Sequence, residues 1–183
     1  LAPDYSYSLD GQDQYFQEGI NVLKKLASGP VNLNTDANAE VATLFAQVQN
    51  VEHYKFSGKH PAGNVGVQIH HIDPINKGDI VWTVSPTGVI EIGKFLLEGK
   101  YDTSRLIAIT GSQVQQTGYA KTYTGACLNK LIANNVKDGE NRFISGNVLT
   151  GEAVSKEGYL GFYHQQVTVI PEGNHEEFFG WIK

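Results

Sequence analysis

Between Phe16 and Thr110 the sequence switches repeatedly between helical and extended patterning, with short connections throughout. That alternation restricts the fold more than any other feature. Strands separated by single helices run parallel, in a sheet covered on both faces. Phe16, Ile20, Leu23 and Ala27 recur on one helix face, and Asp10 and Asp13 offer acceptors to the free amides of its first turn. Ser28-Gly29-Pro30 closes this helix, and Val31 to Asn34 reads as a strand. Val41, Leu44, Phe45 and Val48 mark a second helix, followed by a strand from Val51 to Ser57. A third helix has Pro61 near its start, carries Val65, Ile69 and Ile72, and ends at Asp73-Pro74. Asp79 to Val84, with Ile80, Trp82 and Val84 alternating, is the expected third strand. Ser85 and Pro86 form a cap and first-turn proline for a fourth helix bearing Val89, Ile92, Phe95 and Leu96, which stops at Gly99. Arg105 to Thr110 reads as the next strand. The first helix lacks the strand that the pattern calls for ahead of it.

The pattern changes near Asp102 to Ser104. From Gly111 to Gly125 the chain is rich in Gly, Thr, Gln and Tyr, which suits strands and turns. A short helix is expected from Ala126 to Asn134, capped by Thr124, with Leu128, Leu131 and Ile132 facing inward. Arg142 to Leu149 and Gly161 to Ile170 read as strands. The expected organisation is an α/β domain over residues 1–103 with its first strand outside the sequence, an α+β unit such as a β-grasp over 104–155, and closing strands with an aromatic tail over 156–183.

Composition removes several function classes. A chain of 183 residues is long enough to bury a core without disulfides, and its single cysteine, Cys127, excludes an internal bridge or a Cys-rich metal site. An unpaired thiol suits a reducing compartment. With 14 Lys+Arg against 19 Asp+Glu, the net charge of −5 provides no basic footprint for nucleic acid or anionic lipid. The most apolar stretch, Val89 to Leu97, is broken by Glu91, Gly93 and Lys94 and falls short of the ~20 residues of a membrane span. No secretory signal pattern is visible in Leu1 to Gln12. The sequence contains no methionine.

Gly58-Lys59-His60-Pro61-Ala62-Gly63-Asn64-Val65 follows an expected strand and opens an expected helix. Two glycines five apart suggest a phosphate-cradling loop, but Asn64 and Val65 stand where Lys and Ser/Thr would neutralise phosphate and hold magnesium. Gly58, Gly63 and Gly66 also fail the G-x-G-x-x-G spacing. The loop therefore reads either as a tight turn or as a ligand or partner contact at the C-terminal edge of the sheet. His70 and His71 are adjacent on a helix and point about 100° apart, a poor arrangement for sharing one metal ion. Cys127 reads as an inert packed thiol. Ser, His and Asp are present without a G-x-S-x-G elbow. Phe178, Phe179 and Trp181 read as core or a packing surface and not as a cofactor platform.

Several strings carry a resemblance. Gly58 to Gly63 (GKHPAG), Gln68 to Pro74 (QIHHIDP), Asp79 to Val84 (DIVWTV), Arg142 to Leu149 (RFISGNVL), Tyr159 to His164 (YLGFYH) and Phe178 to Ile182 (FFGWI) together resemble the A-subunit of the Na+-translocating NADH:quinone oxidoreductases, over most of the chain from about Val51 onward. More distantly, His60-Pro61-Ala62-Gly63 and the unit from Asp79 to Gly99 look like the flavin/NADH-binding subunit of respiratory complex I and its Rnf relative. The resemblance implies a Rossmann-like parallel or mixed sheet followed by a soluble-ligand-binding β-grasp (SLBB) domain. It implies a peripheral subunit on the cytoplasmic face of the bacterial inner membrane, docked on membrane-embedded subunits of its complex. No redox cofactor is expected in this chain; NADH, FAD and FMN would be held by other subunits. Quinone is the candidate ligand, and the quinone- or partner-binding candidates are His60, Pro61, Gly63, Asn64, His70 and His71. Two alternatives stand beside this reading, a flavin- or nucleotide-binding electron-transfer subunit of the complex I/Rnf type and a stand-alone small-ligand-binding module. The absent methionine and the missing first strand lead to the expectation that the sequence is the central portion of a longer subunit.

Overall fold

The computed structural model describes residues 3–174 and 180. The chain divides into two compact units, one of Tyr5–Asp102 and one of Thr103–Lys183 joined by Leu1–Asp4. The expected aromatic surface at Phe178, Phe179 and Trp181 lies outside the described residues.

The first unit runs α1 (Tyr5–Ser8), α2 (Asp13–Leu26), β1 (Asn32–Asp36), α3 (Thr43–Gln47), β2 (Glu52–Phe56), α4 (Val65–Ile72) and α5 (Pro86–Glu98). β1 and β2 pair in parallel, from Asn32 opposite Glu52 to Asp36 opposite Phe56, with α3 in the crossover. Apolar residues of α2, α3 and α5 form the core: Phe16, Ile20, Leu44, Phe45, Val89 and Ile90 are all buried. Phe16 and Phe45 meet edge-on with ring centroids 5.3 Å apart.

Helices α2 and α5 pack through glycines. A Cβ placed on Gly93 would lie 1.8 Å from the Tyr15 carbonyl oxygen, and one on Gly19 would lie 2.1 Å from that of Val89. The helix backbones therefore touch, at a separation only residues without a side chain permit. Beside this contact Lys94 pairs with Asp102 at 3.1 Å and sits 5.3 Å from the centre of the Tyr15 ring. The expected ends of α5 are present. The Ser85 Oγ accepts from the Gly88 amide at 3.2 Å, and the Gly99 amide donates to the Phe95 carbonyl at 2.9 Å. At α2 the expected aspartate cap is not formed: Gln12 occupies the cap position without a side-chain hydrogen bond, and Asp13 is already the first helical residue.

The expected strand from Asp79 to Val84 is corrected by the structure. Its only regular feature is a turn at its start, where Asp79 Oδ2 accepts from the Asn76 amide at 2.8 Å. Among the described residues the sheet of this unit holds β1 and β2 alone, so the segment has no ladder to join. Ile80 and Trp82 are 80% and 87% exposed.

The second unit contains β3 (Ser104–Thr110), β4 (Gly118–Tyr123), α6 (Leu128–Ile132), β5 (Asn141–Ser145), β6 (Glu152–Val154) and β7 (Gln166–Pro171). The strands lie in the order β4-β3-β7-β5-β6. β3 and β7 are parallel and the other neighbours antiparallel. α6 packs on this mixed sheet as in a β-grasp, and Ile107, Leu128, Ile132, Val167 and Val169 are fully buried between them. β3 thus opens this second sheet and does not extend that of β1 and β2.

The strand expected from Gly161 begins only at Gln166, because the loop from Tyr159 to His164 precedes it, and two further element boundaries differ from expectation for local reasons. α6 begins at Leu128 with Cys127 at its cap, because residues 126–128 are held extended: the Leu128 amide donates to the Gly158 carbonyl and the Leu160 amide to that of Ala126, both at 2.9 Å. The Thr124 hydroxyl, expected as the cap, instead reaches the Thr103 carbonyl at 3.4 Å. β5 stops at Ser145 because Asn147 turns the chain, its Oδ1 accepting from the Leu149 and Thr150 amides at 2.8 and 2.9 Å.

Candidate functional site

The sequence places its candidate contacts in the connection from β2 to α4. Gly58, just past the end of β2, has φ 134°, a conformation that side chains rarely adopt. Lys59 to Asn64 then make a compact turn containing a cis His60-Pro61 bond. The Ala62 amide donates to the Lys59 carbonyl at 3.0 Å and the Asn64 amide to the Pro61 carbonyl at 2.8 Å. Asn64 takes the cap position of α4, and its carbonyl accepts from Val67 and Gln68.

Gln68 anchors this turn, although no motif or spacing singles it out. Its Nε2 donates to the Ala62 carbonyl at 3.3 Å, and its Oε1 accepts from Asn34 Nδ2 of β1 at 3.0 Å. One side chain on the inner face of α4 therefore ties the turn to the sheet. Gln68 lies within one of the strings that carry the resemblance, but its role depends on a residue 34 positions away. The Asn34 Oδ1 beneath it is buried and finds no hydrogen-bond partner among the described residues.

His60, Pro61, Gly63 and Asn64 share this turn, and all four are exposed. His70 and His71 are exposed in the last turn of α4, with ring centroids 5.8 Å apart at 69°. About 9 Å of helix separates Asn64 from His70, so the structure brings four of the candidates together and leaves the histidine pair at the other end of α4. Among the described residues no three His, Cys, Asp or Glu side chains converge as a metal site would require.

The turn is poorly made for phosphate. A phosphate cradle needs several backbone amides aimed outward, whereas those of Ala62 and Asn64 are already used within the turn. Two hollows in the molecule lie elsewhere, one lined by Gln115, Gln116 and residues 130–135, the other by Glu18, Asn21, Lys24, Lys25 and Asn50.

A second polar constellation lies in the other unit. The Ser145 hydroxyl accepts from the Gly161 amide at 2.9 Å and lies 2.7 Å from His164 Nδ1. A serine paired with a histidine suggests nucleophilic catalysis, but Ser145 is 1% exposed and out of a substrate's reach. The pair instead fixes the loop from Tyr159 to His164 on the end of β5. The same loop is held by Arg105, which donates to the Phe162 carbonyl and stacks 5.1 Å from the centre of the Phe162 ring. Two of the strings that carry the resemblance are thus parts of one contact. Cys127 is half-buried with its Sγ 3.6 Å from the Glu157 carbonyl, consistent with a packed thiol.

Comparison with known proteins bears on both units. Residues 1–101 match the family described as the NqrA second alpha/beta domain, and residues 106–156 match the one described as the NQRA C-terminal domain. The whole chain is 42% identical to the A-subunit of the Na(+)-translocating NADH-quinone reductase of Yersinia pestis, of which it covers 40%. It is 43% identical to that of Pasteurella multocida and 41% identical to that of Haemophilus influenzae, covering 41% of each. The chain thus spans about two fifths of the length of the curated relatives it matches. The fold expected from the resemblance, a Rossmann-like α/β unit followed by a β-grasp-like SLBB unit, agrees with these matches and with the mixed α/β architecture. With one family match covering more than half of its residues and a second match within the other unit, the chain belongs to the NqrA family.

Proposed function

We propose that this chain forms the central part of a peripheral subunit of a Na+-translocating NADH:quinone reductase, where it contributes structure and docking and carries no redox cofactor of its own. The observation that carries the reading is identity of 41–43% over the entire chain to proteins named as the A-subunit of that enzyme, spread across both units. In this reading NADH, FAD and FMN are held by other subunits. The chain lies at the cytoplasmic face of the inner membrane and is attached by protein contacts. No helix among the described residues is long and apolar enough to cross a membrane. The self-bonded amides of the β2–α4 turn support the absence of a nucleotide site there. Titration of the full-length subunit with FMN and FAD, followed by absorption, is expected to leave no stoichiometrically bound flavin; tight binding would favour the complex I/Rnf alternative. Co-purification of the tagged full-length subunit with the membrane subunits is expected, and its failure would overturn the docking role.

We infer that the quinone- or partner-binding surface is formed by His60, Pro61, Gly63 and Asn64, with His70 and His71 at the far end of α4 as further candidates for the same role. The turn stands at the surface and is fixed in shape by Gln68, as a contact surface requires. His60→Ala in the full-length subunit is expected to weaken binding of a quinone analogue several-fold while leaving the melting temperature unchanged. Equal affinity in the two proteins would remove the turn from the site.

A further inference from the structure

Two loops of the second unit, 146–151 after β5 and 158–163 ahead of β7, turn apolar side chains outward. Leu149 and Tyr163 are 85% and 84% exposed, and Val148 and Phe162 are about half exposed. None of the four belongs to the core of this unit, which takes Leu160 from the second loop instead. Apolar residues scattered singly over a surface are ordinary, but these four fall on two loops that are locked to each other. The His164 ring lies between the loops: a Cβ on Gly146 would come within 3.1 Å of its Cδ2, and one on Gly161 within 2.6 Å of its Nδ1. Each loop is also tied down by its backbone. The Gly151 amide donates to the Asn147 carbonyl and the Leu160 amide to that of Ala126, both at 2.9 Å. At the tip of the second loop Phe162 and Tyr163 meet edge-on, with ring centroids 5.0 Å apart. Apolar side chains carried on loops held in this way lose little freedom when they are covered, which is the condition under which such residues anchor an interface.

We propose that these two loops form a docking surface for an apolar, uncharged surface of another subunit of the same complex. Charge selects this occupant. The loops read GNVLTG and GYLGFY and hold no Asp, Glu, Lys or Arg, in a chain of which 18% is charged. Without Lys or Arg they offer no counter-charge to anionic lipid or to an acidic ligand, and without Asp or Glu they offer none to a basic segment. A second copy of this chain is disfavoured by repulsion between two bodies of net charge −5. The exposed rings match the centre of a protein–protein contact, where aromatic residues are enriched and charged residues depleted. The inference rests on the proposed place of the chain in a multi-subunit reductase. It names a surface of the second unit and holds whether or not the turn at His60 contacts quinone.

Binding of the tagged full-length subunit to the detergent-solubilised complex assembled without it tests the proposal, measured for the wild type and for Leu149→Ser and Tyr163→Ser. Each substitution is expected to weaken binding about tenfold or more and to leave the melting temperature unchanged, since both side chains project away from the core. Wild-type affinity in both variants, beside a wild type that binds, would overturn this surface and leave the docking role intact. A wild type that does not bind would overturn the docking role itself, and the surface with it. A photo-crosslinking phenylalanine analogue in place of Tyr163 identifies the occupant directly in the assembled complex. A crosslink to another subunit supports the proposal, and one to lipid, to a second copy or to this chain itself contradicts it.

Discussion

At the scale of single residues, the close approach of α2 and α5 is the most exacting feature of the first unit. Gly19→Ala and Gly93→Ala each gain up to about 1 kcal/mol of helix propensity. Each also drives a methyl group into a backbone carbonyl, an overlap that side-chain rotation cannot relieve. Overpacking of this kind costs about 1–3 kcal/mol or more, so both variants are expected to be net destabilised in urea unfolding, Gly93→Ala the more strongly. In the second unit Ser145→Ala leaves the Gly161 amide and His164 Nδ1 without their partner. A loss of about 1–2 kcal/mol is expected in the same measurement, because the groups left behind are partly shielded from water. Glu172 accepts from Arg142 Nε at 3.1 Å and from Nη2 at 2.6 Å. The guanidinium holds the Glu172 carboxyl below its ordinary value. A carboxyl with a lowered value in the folded state stabilises fully above the ordinary carboxylate range, and its contribution fades as pH falls through the lowered value. The melting temperature of the wild type should therefore exceed that of Glu172→Gln by a small margin at pH 7, and the margin should close in acid. A margin independent of pH would show that the pair acts by packing alone.

At the scale of elements, the ends of α5 were readable because their chemistry is local: Ser85, Pro86 and Gly99 act within one turn of themselves. Ser85→Ala removes the acceptor for the Gly88 amide and is expected to cost about 1 kcal/mol, measured by thermal or urea unfolding. Two of the boundaries read incorrectly from sequence, at α6 and β5, differ in cause. At α6, residues 126–128 are drawn straight by hydrogen bonds to Gly158 and Leu160, 30 or more positions away. At β5, the side chain of Asn147 ends a run whose apolar residues would otherwise suit a longer strand. The segment 79–84 shows a third case. Its alternation is that of a strand, but alternation specifies only which side chains lie on which face, and a strand also needs a neighbour to supply its hydrogen bonds.

At the scale of the whole molecule, two hydrophobic cores of different design lie in one chain. The first is built on helix-to-helix contacts beside a short parallel ladder, the second on a mixed five-stranded sheet closed by one short helix. The change in composition near residues 102–104 marks the passage between them. The net charge is −5, and under the proposed docking role attachment to a membrane complex would rest on protein contacts. The full-length subunit is accordingly expected to remain unbound in flotation assays with phosphatidylglycerol vesicles that lack the other subunits. Stable binding to such vesicles would contradict docking through protein.

The sequence by itself determined the order of most elements in the first unit, the change of architecture in the second and, through its longer strings, the family. Periodicity, caps and turn residues act over a few positions, so they can be read from the chain in one dimension. It also located the turn at His60, Pro61, Gly63 and Asn64, since Gly58 and the proline announce it. Only the tertiary structure decided that His70 and His71 stand apart from that turn, that Gln68 and Asn34 hold it to the sheet, and that Ser145 meets His164. Only the structure left Asp79 to Val84 exposed and outside the ladder of β1 and β2. Each of these depends on residues remote in sequence arriving at one place, and neither spacing nor composition encodes which distant neighbour a side chain or a strand edge will find.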